Sequence, residues 1–199
     1  MNTIIDRLTK IKSNIDSQNN NKKVNIIAIS KTFTLDHIQP LLNFRNVHFG
    51  ENKVQEAEAK WKSIVSDKKN IKLHMVGKLQ SNKAKKAVEL FHYIHSLDNQ
   101  KLADTLSKTE KNLNKYLNYF IQVNIGMENQ KSGIAPDQVD KFYNYCSKEM
   151  KLNVIGLMAI PPNDGKEEKH FKFLNELNFS LGLKELSIGM SNDYEKALN

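Results

Sequence analysis

Short apolar runs and amphipathic stretches alternate along the whole of this 199-residue chain, and no other feature limits its fold so strongly. Val24 to Thr32, Val47 to Asn52, Ile71 to Val76, Tyr93 to Leu97, Tyr119 to Ile125, Val154 to Ile160 and Leu186 to Gly189 each read as a strand. Between them apolar residues recur at helical spacing, as in Leu35, Ile38, Leu41 and Leu42, or Leu102, Leu106 and Leu113. An amphipathic segment from about Thr3 to Ser17 precedes the first strand, and the start of a helix, Asp193 to Asn199, follows the last. Such alternation is satisfied by parallel strands joined through right-handed helical crossovers. The first run, Val24-Asn25-Ile26-Ile27-Ala28-Ile29, is continuous rather than alternating, which predicts a strand buried on both faces. A doubly wound open sheet and a (β/α) barrel both fit. A barrel closes with eight strands, and this pattern supplies seven.

Length and a hydrophobic content of 39% suit one domain spanning 1–199 with a full core. No window approaches the ~20 consecutive apolar residues of a membrane span, and the polar start Met1-Asn2-Thr3 has no targeting pattern, so a soluble, cytoplasmic protein is expected. The single cysteine, Cys146, lies in a helical pattern and reads as a small core residue. The formal charge of +8 is spread along the chain. Its densest group, Lys78, Lys83, Lys85 and Lys86, lacks interleaved aromatics or any nucleic-acid motif, so a preference for small anions is the reading and nucleic acid is not an expected partner. The run Asn19-Asn20-Asn21 reads as surface drift. No glycine-rich dinucleotide loop and no nucleotide-hydrolase phosphate loop is present. His92 and His95, three apart on a strand, point to opposite faces and make a poor metal pair.

Polar residues gather instead at the carboxyl ends of the strands: Lys31 and Thr32, Glu51 and Asn52, His74 near Gly77, Asn124, Lys131-Ser132-Gly133, and Met190-Ser191-Asn192. In a barrel all of these ends meet at one mouth. Lys31, half out of an apolar layer, is a candidate amine for capturing an aldehyde; an ordinary solvent-facing lysine is the plain alternative. Ser187-Ile188-Gly189-Met190-Ser191-Asn192-Asp193 passes from a strand through glycine into a helix start, a natural phosphate seat, or simply a helix capped by Ser191 or Asn192. An amine and a phosphate seat across one mouth are what pyridoxal 5′-phosphate (PLP) requires.

The ordered motifs Ala28-Ile29-Ser30-Lys31-Thr32, Phe49-Gly50-Glu51-Asn52, His74-Met75-Val76-Gly77-Lys78-Leu79-Gln80-Ser81-Asn82-Lys83, Gln122-Val123-Asn124-Ile125, Lys131-Ser132-Gly133, Gly156-Leu157-Met158-Ala159-Ile160 and Leu186-Ser187-Ile188-Gly189-Met190-Ser191 cover almost the whole chain. Through them the sequence resembles the PLP homeostasis protein family, whose TIM-type (β/α) barrel is similar to the amino-terminal domain of alanine racemase. The resemblance implies a Schiff base on Lys31, with Asn52 and His74 on the cofactor side and Ser187, Met190 and Ser191 at the phosphate end. It further implies a PLP carrier without established turnover, monomeric if its barrel is complete, with PLP-dependent apo-enzymes as recipients. A PLP-dependent racemase or lyase is the alternative. Relatives of this kind continue through a further helix and a last strand, so a barrel lacking that strand is expected here, with open edges on the first and seventh strands.

Overall fold

The computed structural model describes residues 3–18, 23–68, 70–128 and 130–198; Met1, Asn2 and the run Asn19-Asn20-Asn21 lie outside the described residues. Helix α1 (Thr3–Gln18) is followed by β1 (Ala28–Ile29), α2 (Leu35–Asn43), β2 (His48–Glu51), α3 (Val54–Asp67), β3 (Lys72–Met75), α4 (Ala84–Leu90), β4 (Tyr93–Leu97), α5 (Gln100–Leu113), β5 (Asn118–Gln122), α6 (Val139–Asn144), β6 (Asn153–Met158), α7 (Glu167–Ser180), β7 (Glu185–Ser187) and α8 (Tyr194–Ala197). The seven strands form one parallel sheet in sequence order. Local chemistry sets the helix ends. Asn99 Oδ1, for example, accepts from the Leu102 N–H at 2.9 Å and caps α5, which ends at Asn114 in the left-handed region (φ 48°) that asparagine tolerates.

Strand residues alternate between two layers. Phe49, Leu73, Ile94, Ile121 and Leu157 are fully buried and share one cluster with Trp61 of α3, Ala87 of α4 and Leu102 and Leu106 of α5. Each such side chain removed from water stabilises the fold by roughly 1.5–3 kcal/mol, which makes the sheet–helix interface the main source of stability. The neighbouring positions His48, His74, His95 and Phe120 face the other way, into the barrel.

The sheet is curled. Three ladder spacings of ~4.8 Å would put β4 and β7 about 14 Å apart in a flat sheet, yet His95 Nδ1 of β4 lies 2.7 Å from Ser187 Oγ of β7. The architecture is therefore a (β/α) barrel of seven strands, in which β1 and β7 are not paired with each other among the described residues. In the outer layer Asn14 of α1 donates to the Tyr194 hydroxyl (3.1 Å) and to Glu195 (3.2 Å) of α8, joining the first helix to the last.

The first strand corrects an expectation. Rather than a strand buried on both faces from Val24 onward, β1 holds two paired residues, with Val24 42% and Ile29 44% exposed. The cause is its place in the sheet: β1 pairs with β2 alone, so its apolar run lacks a neighbour on the other side among the described residues.

Candidate functional site

The exit of β1 is fixed by a buried polar knot. Glu51, fully buried at the end of β2, accepts through Oε1 from Ser30 Oγ, Lys60 Nζ and Trp61 Nε1, each at 2.8 Å. Lys60 Nζ also donates to the Ser30 carbonyl at 2.6 Å, and the Ser30 N–H donates to the Gly50 carbonyl at 2.9 Å. The residue preceding Lys31 is thus held from α3 and β2 together. The chain then turns through Lys31 and Thr32, with Thr32 in the left-handed region at φ 67°. For a β-branched residue that conformation costs about 1–2 kcal/mol, so the knot holds a strained turn. Lys31 itself is exposed, not half-buried as its apolar strand suggested; the edge strand that leads to it pairs with β2 alone among the described residues.

Asn52, half-buried, leaves β2 beside the exit of β3, where a Cβ on Gly77 would lie only 2.3 Å from the Asn52 carbonyl oxygen. Glycine is needed for that close approach. After β5, Asn124 Nδ2 donates to the Glu128 carbonyl at 2.9 Å and its Oδ1 accepts from the Glu128 N–H at 3.2 Å, shaping a loop in which Lys131 Nζ is paired with Glu128 at 2.5 Å.

On the opposite edge, Ser187 ends β7 and Gly189 follows at φ 80°. The helix start is capped neither by Ser191 nor by Asn192. Asp193 Oδ1 takes the Met190 N–H at 2.5 Å instead. This leaves the N–H groups of Gly189, Ser191 and Asn192 without a protein acceptor among the described residues, with Met190 and Ser191 exposed.

Sequence spacing gave no hint of what lies between these two edges. His48 Nδ1 is 2.9 Å from His74 Nε2, His74 Nδ1 is 2.9 Å from His95 Nε2, and His95 Nδ1 reaches Ser187. Tyr93 stacks on His74 at 4.3 Å between ring centroids, and Phe120 on His95 at 4.4 Å. Burial pushes His95 down to about 3 and His74 to about 2, the latter helped by the neighbouring histidines, and burial also lowers His48. These rings are therefore neutral at pH 7. Their nitrogens point at one another rather than converging on a point, a geometry for hydrogen bonding and not for a metal. Cys146 is buried in the turn that continues α6, and burial raises its thiol to about 12, which suits the core role expected of it.

Residues 7–196 match the alanine racemase N-terminal domain family. The chain is 34% identical to the pyridoxal phosphate homeostasis protein of Pseudomonas aeruginosa, over all of this chain and 90% of that one. It is a member of this pyridoxal phosphate homeostasis protein family. Among solved structures, PipY of Synechococcus elongatus without PLP superposes with a TM-score of 0.84 at 33% identity, covering 97% of this chain and 92% of PipY. The structure of PipY with PLP bound superposes with a TM-score of 0.81 at 32% identity and the same coverage. In this family member five of the six residues singled out from the sequence divide into two groups, and His74 stands apart from both. Lys31 and Asn52 stand at the exits of β1 and β2, and Ser187, Met190 and Ser191 at the exit of β7. His74 lies inside the barrel with both ring nitrogens engaged, and reaches Ser187 only through His95. His48 and His95 are the members that sequence reasoning missed. Partnership across strands depends on register, here Gly50 opposite His74 and His74 opposite Tyr93, and no local pattern reports it.

Proposed function

We propose that this chain, acting as a single (β/α) domain, binds PLP in the mouth of the barrel to store it and pass it to apo-enzymes that use it. Lys31 is the covalent tether, Asn52 stands beside the ring, and Ser187 with the Gly189-Met190-Ser191 turn receives the phosphate. The observation that carries this reading is the pairing of donor sets across the mouth. One edge offers a primary amine with no ion pair among the described residues; the other offers a hydroxyl and the three uncommitted N–H groups of Gly189, Ser191 and Asn192. Bound PLP would supply an aldehyde able to capture a primary amine. The chain's own part is to anchor the Lys31 turn through the Ser30–Glu51–Lys60 knot and to present N–H donors to a dianion. Lys131, the other lysine that follows a strand, is engaged by Glu128 and is less available as a tether.

Turnover as a racemase or lyase would need a second acid–base group over the far side of the cofactor. None of the six tyrosines stands beside Lys31 at the exits of β1 and β2: Tyr93 begins β4, Tyr119 is buried against Glu110, and the other four lie in or beside the outer helices. The lack of a tyrosine there supports carriage over tyrosine-based racemisation. Titration of the purified protein with PLP should produce the visible absorption band of the lysine-bound cofactor, and Lys31→Ala should abolish it. The same band in Lys31→Ala would move the tether to another lysine and overturn the assignment. Incorporation of deuterium from heavy water into alanine or serine would establish turnover and displace the carrier reading.

A further inference from the structure

The line His48–His74–His95–Ser187 starts at the first residue of β2 and finishes at the last residue of β7, with each histidine two positions beyond the residue in register with its predecessor. Stacking on Tyr93 and Phe120 holds the two inner ring planes, and exposures of 4% for His74 and 1% for His95 keep water from breaking the links. His48, half-buried, ends the line on the amino-terminal side of the barrel. The chain of contacts carries four hydrogens, one on each neutral imidazole and one on the hydroxyl, and has three links. It can therefore point in only two directions. In one, Ser187 donates to His95 Nδ1, each histidine passes its Nε2–H to the next Nδ1, and His48 Nε2–H is the free donor. In the other, each histidine donates from Nδ1 toward the mouth, His95 Nδ1–H donates to Ser187 Oγ, and the Ser187 hydroxyl is free to donate outward.

We propose that the three histidines are positioning residues for Ser187, and that an anionic phosphate ester or phosphate ion at the mouth selects the second direction, so that the hydroxyl proton is delivered to the ligand. The inference rests on the reading of Ser187 as part of the phosphate end. Reversal of the line is balanced: one proton enters at Ser187 from the mouth, one crosses each link, and one leaves from His48 Nε2 to solvent, with no net change in charge. Because both inner rings stay neutral, the ligand is read as a direction of hydrogen bonding and not as a charge. Removing His95 leaves the Ser187 hydroxyl without the donor that orients and polarises it toward the ligand, and a net loss of about three- to tenfold in phosphate affinity follows from one hydrogen bond of ordinary strength.

The test uses the uniformly 15N-labelled full chain, inorganic phosphate and, separately, PLP, read by two-bond 1H–15N correlation of the imidazoles. With phosphate bound, His74 and His95 are expected to show a protonated Nδ1 and a bare Nε2. A protonated Nε2 on His95 with the anion bound, or tautomers indifferent to it, overturns the proposal. His95→Phe should weaken inorganic phosphate by the stated factor while the Lys31-dependent visible band persists at saturating PLP; unchanged phosphate affinity counts against the relay. The two readings fail separately. Tautomer selection by phosphate without any visible band would leave the relay standing and remove the PLP tether, whereas a visible band with His95 in the Nε2–H form would do the reverse. Absence of phosphate binding altogether defeats the relay.

Discussion

Glu51 is the residue on which the geometry of the β1 exit turns. One carboxylate oxygen takes three donors, its Oε2 accepts none among the described residues, and its partner Lys60 has a side chain only 12% exposed. Removing one member of so buried a pair strands the other charge, and that usually outweighs the attraction lost. Glu51→Gln can still accept from Ser30 and Trp61 but leaves Lys60 unneutralised, so a stability loss of about 3 kcal/mol is expected in urea unfolding. Combining it with Lys60→Met should recover a large part of that loss, because the stranded cation disappears. A loss in the single variant below about 1 kcal/mol would mean the pair is screened by solvent, and the knot would not be what holds the strained Thr32 turn. The position of Lys31 at the end of the first apolar run, and of Ser187 ahead of a glycine that leads into a helix start, was legible in the sequence. The knot was not, since Ser30, Glu51, Lys60 and Trp61 come from three separate elements.

At the scale of elements, the parallel strands announce themselves through continuous β-branched and aliphatic runs, and all seven fall where periodicity puts them, within a few residues at their ends. What periodicity does not carry is how each strand is flanked. Val24 to Ile29 has the composition of a central strand and the position of an edge strand, and its exposure follows from position. The attachment of β7 depends similarly on a single residue. A Cβ on Gly156 of β6 would stand 1.9 Å from the Glu185 carbonyl oxygen and 2.6 Å from its carbon, backbone atoms that cannot swing aside. Gly156→Ala must therefore push β7 off β6. A destabilisation of about 1–3 kcal/mol is expected, with amide exchange accelerating at Leu186 and Ser187 before the central strands. Uniform acceleration across the sheet would show that β7 is not a separable unit. Since β7 also carries Ser187, the same variant should weaken phosphate binding more than its global stability loss explains.

For the whole molecule, the buried histidine line makes stability depend on acidity in a definite sense. Above pH 6.5 the rings of His74 and His95 are neutral in both the folded and the unfolded chain, and their contribution is at its full value. Below it the unfolded chain takes up protons that the folded barrel refuses until about pH 3 at His95 and about pH 2 at His74. Each ring then removes up to about 1.4 kcal/mol of stability per pH unit, so the two together remove at most about 3. His92, half-buried and lowered to about 4, adds a nearly equal share down to about pH 4.5. Between pH 6.5 and 4.5 the sum is comparable to the 5–15 kcal/mol of a typical domain, which places the onset of acid unfolding above the range in which exposed carboxylates titrate. Urea midpoints at pH 7, 6 and 5 should fall steeply, and His95→Phe, which removes one of the three titrating rings while keeping an aromatic against Phe120, should reduce the slope by about a third. A flat profile between pH 7 and 5 would mean that water reaches these rings and lets them protonate in place. The barrel interior would then be too wet for the hydrogen-bonded line to keep a single direction, so the acid profile and the imidazole tautomers stand or fall on the same dry interior.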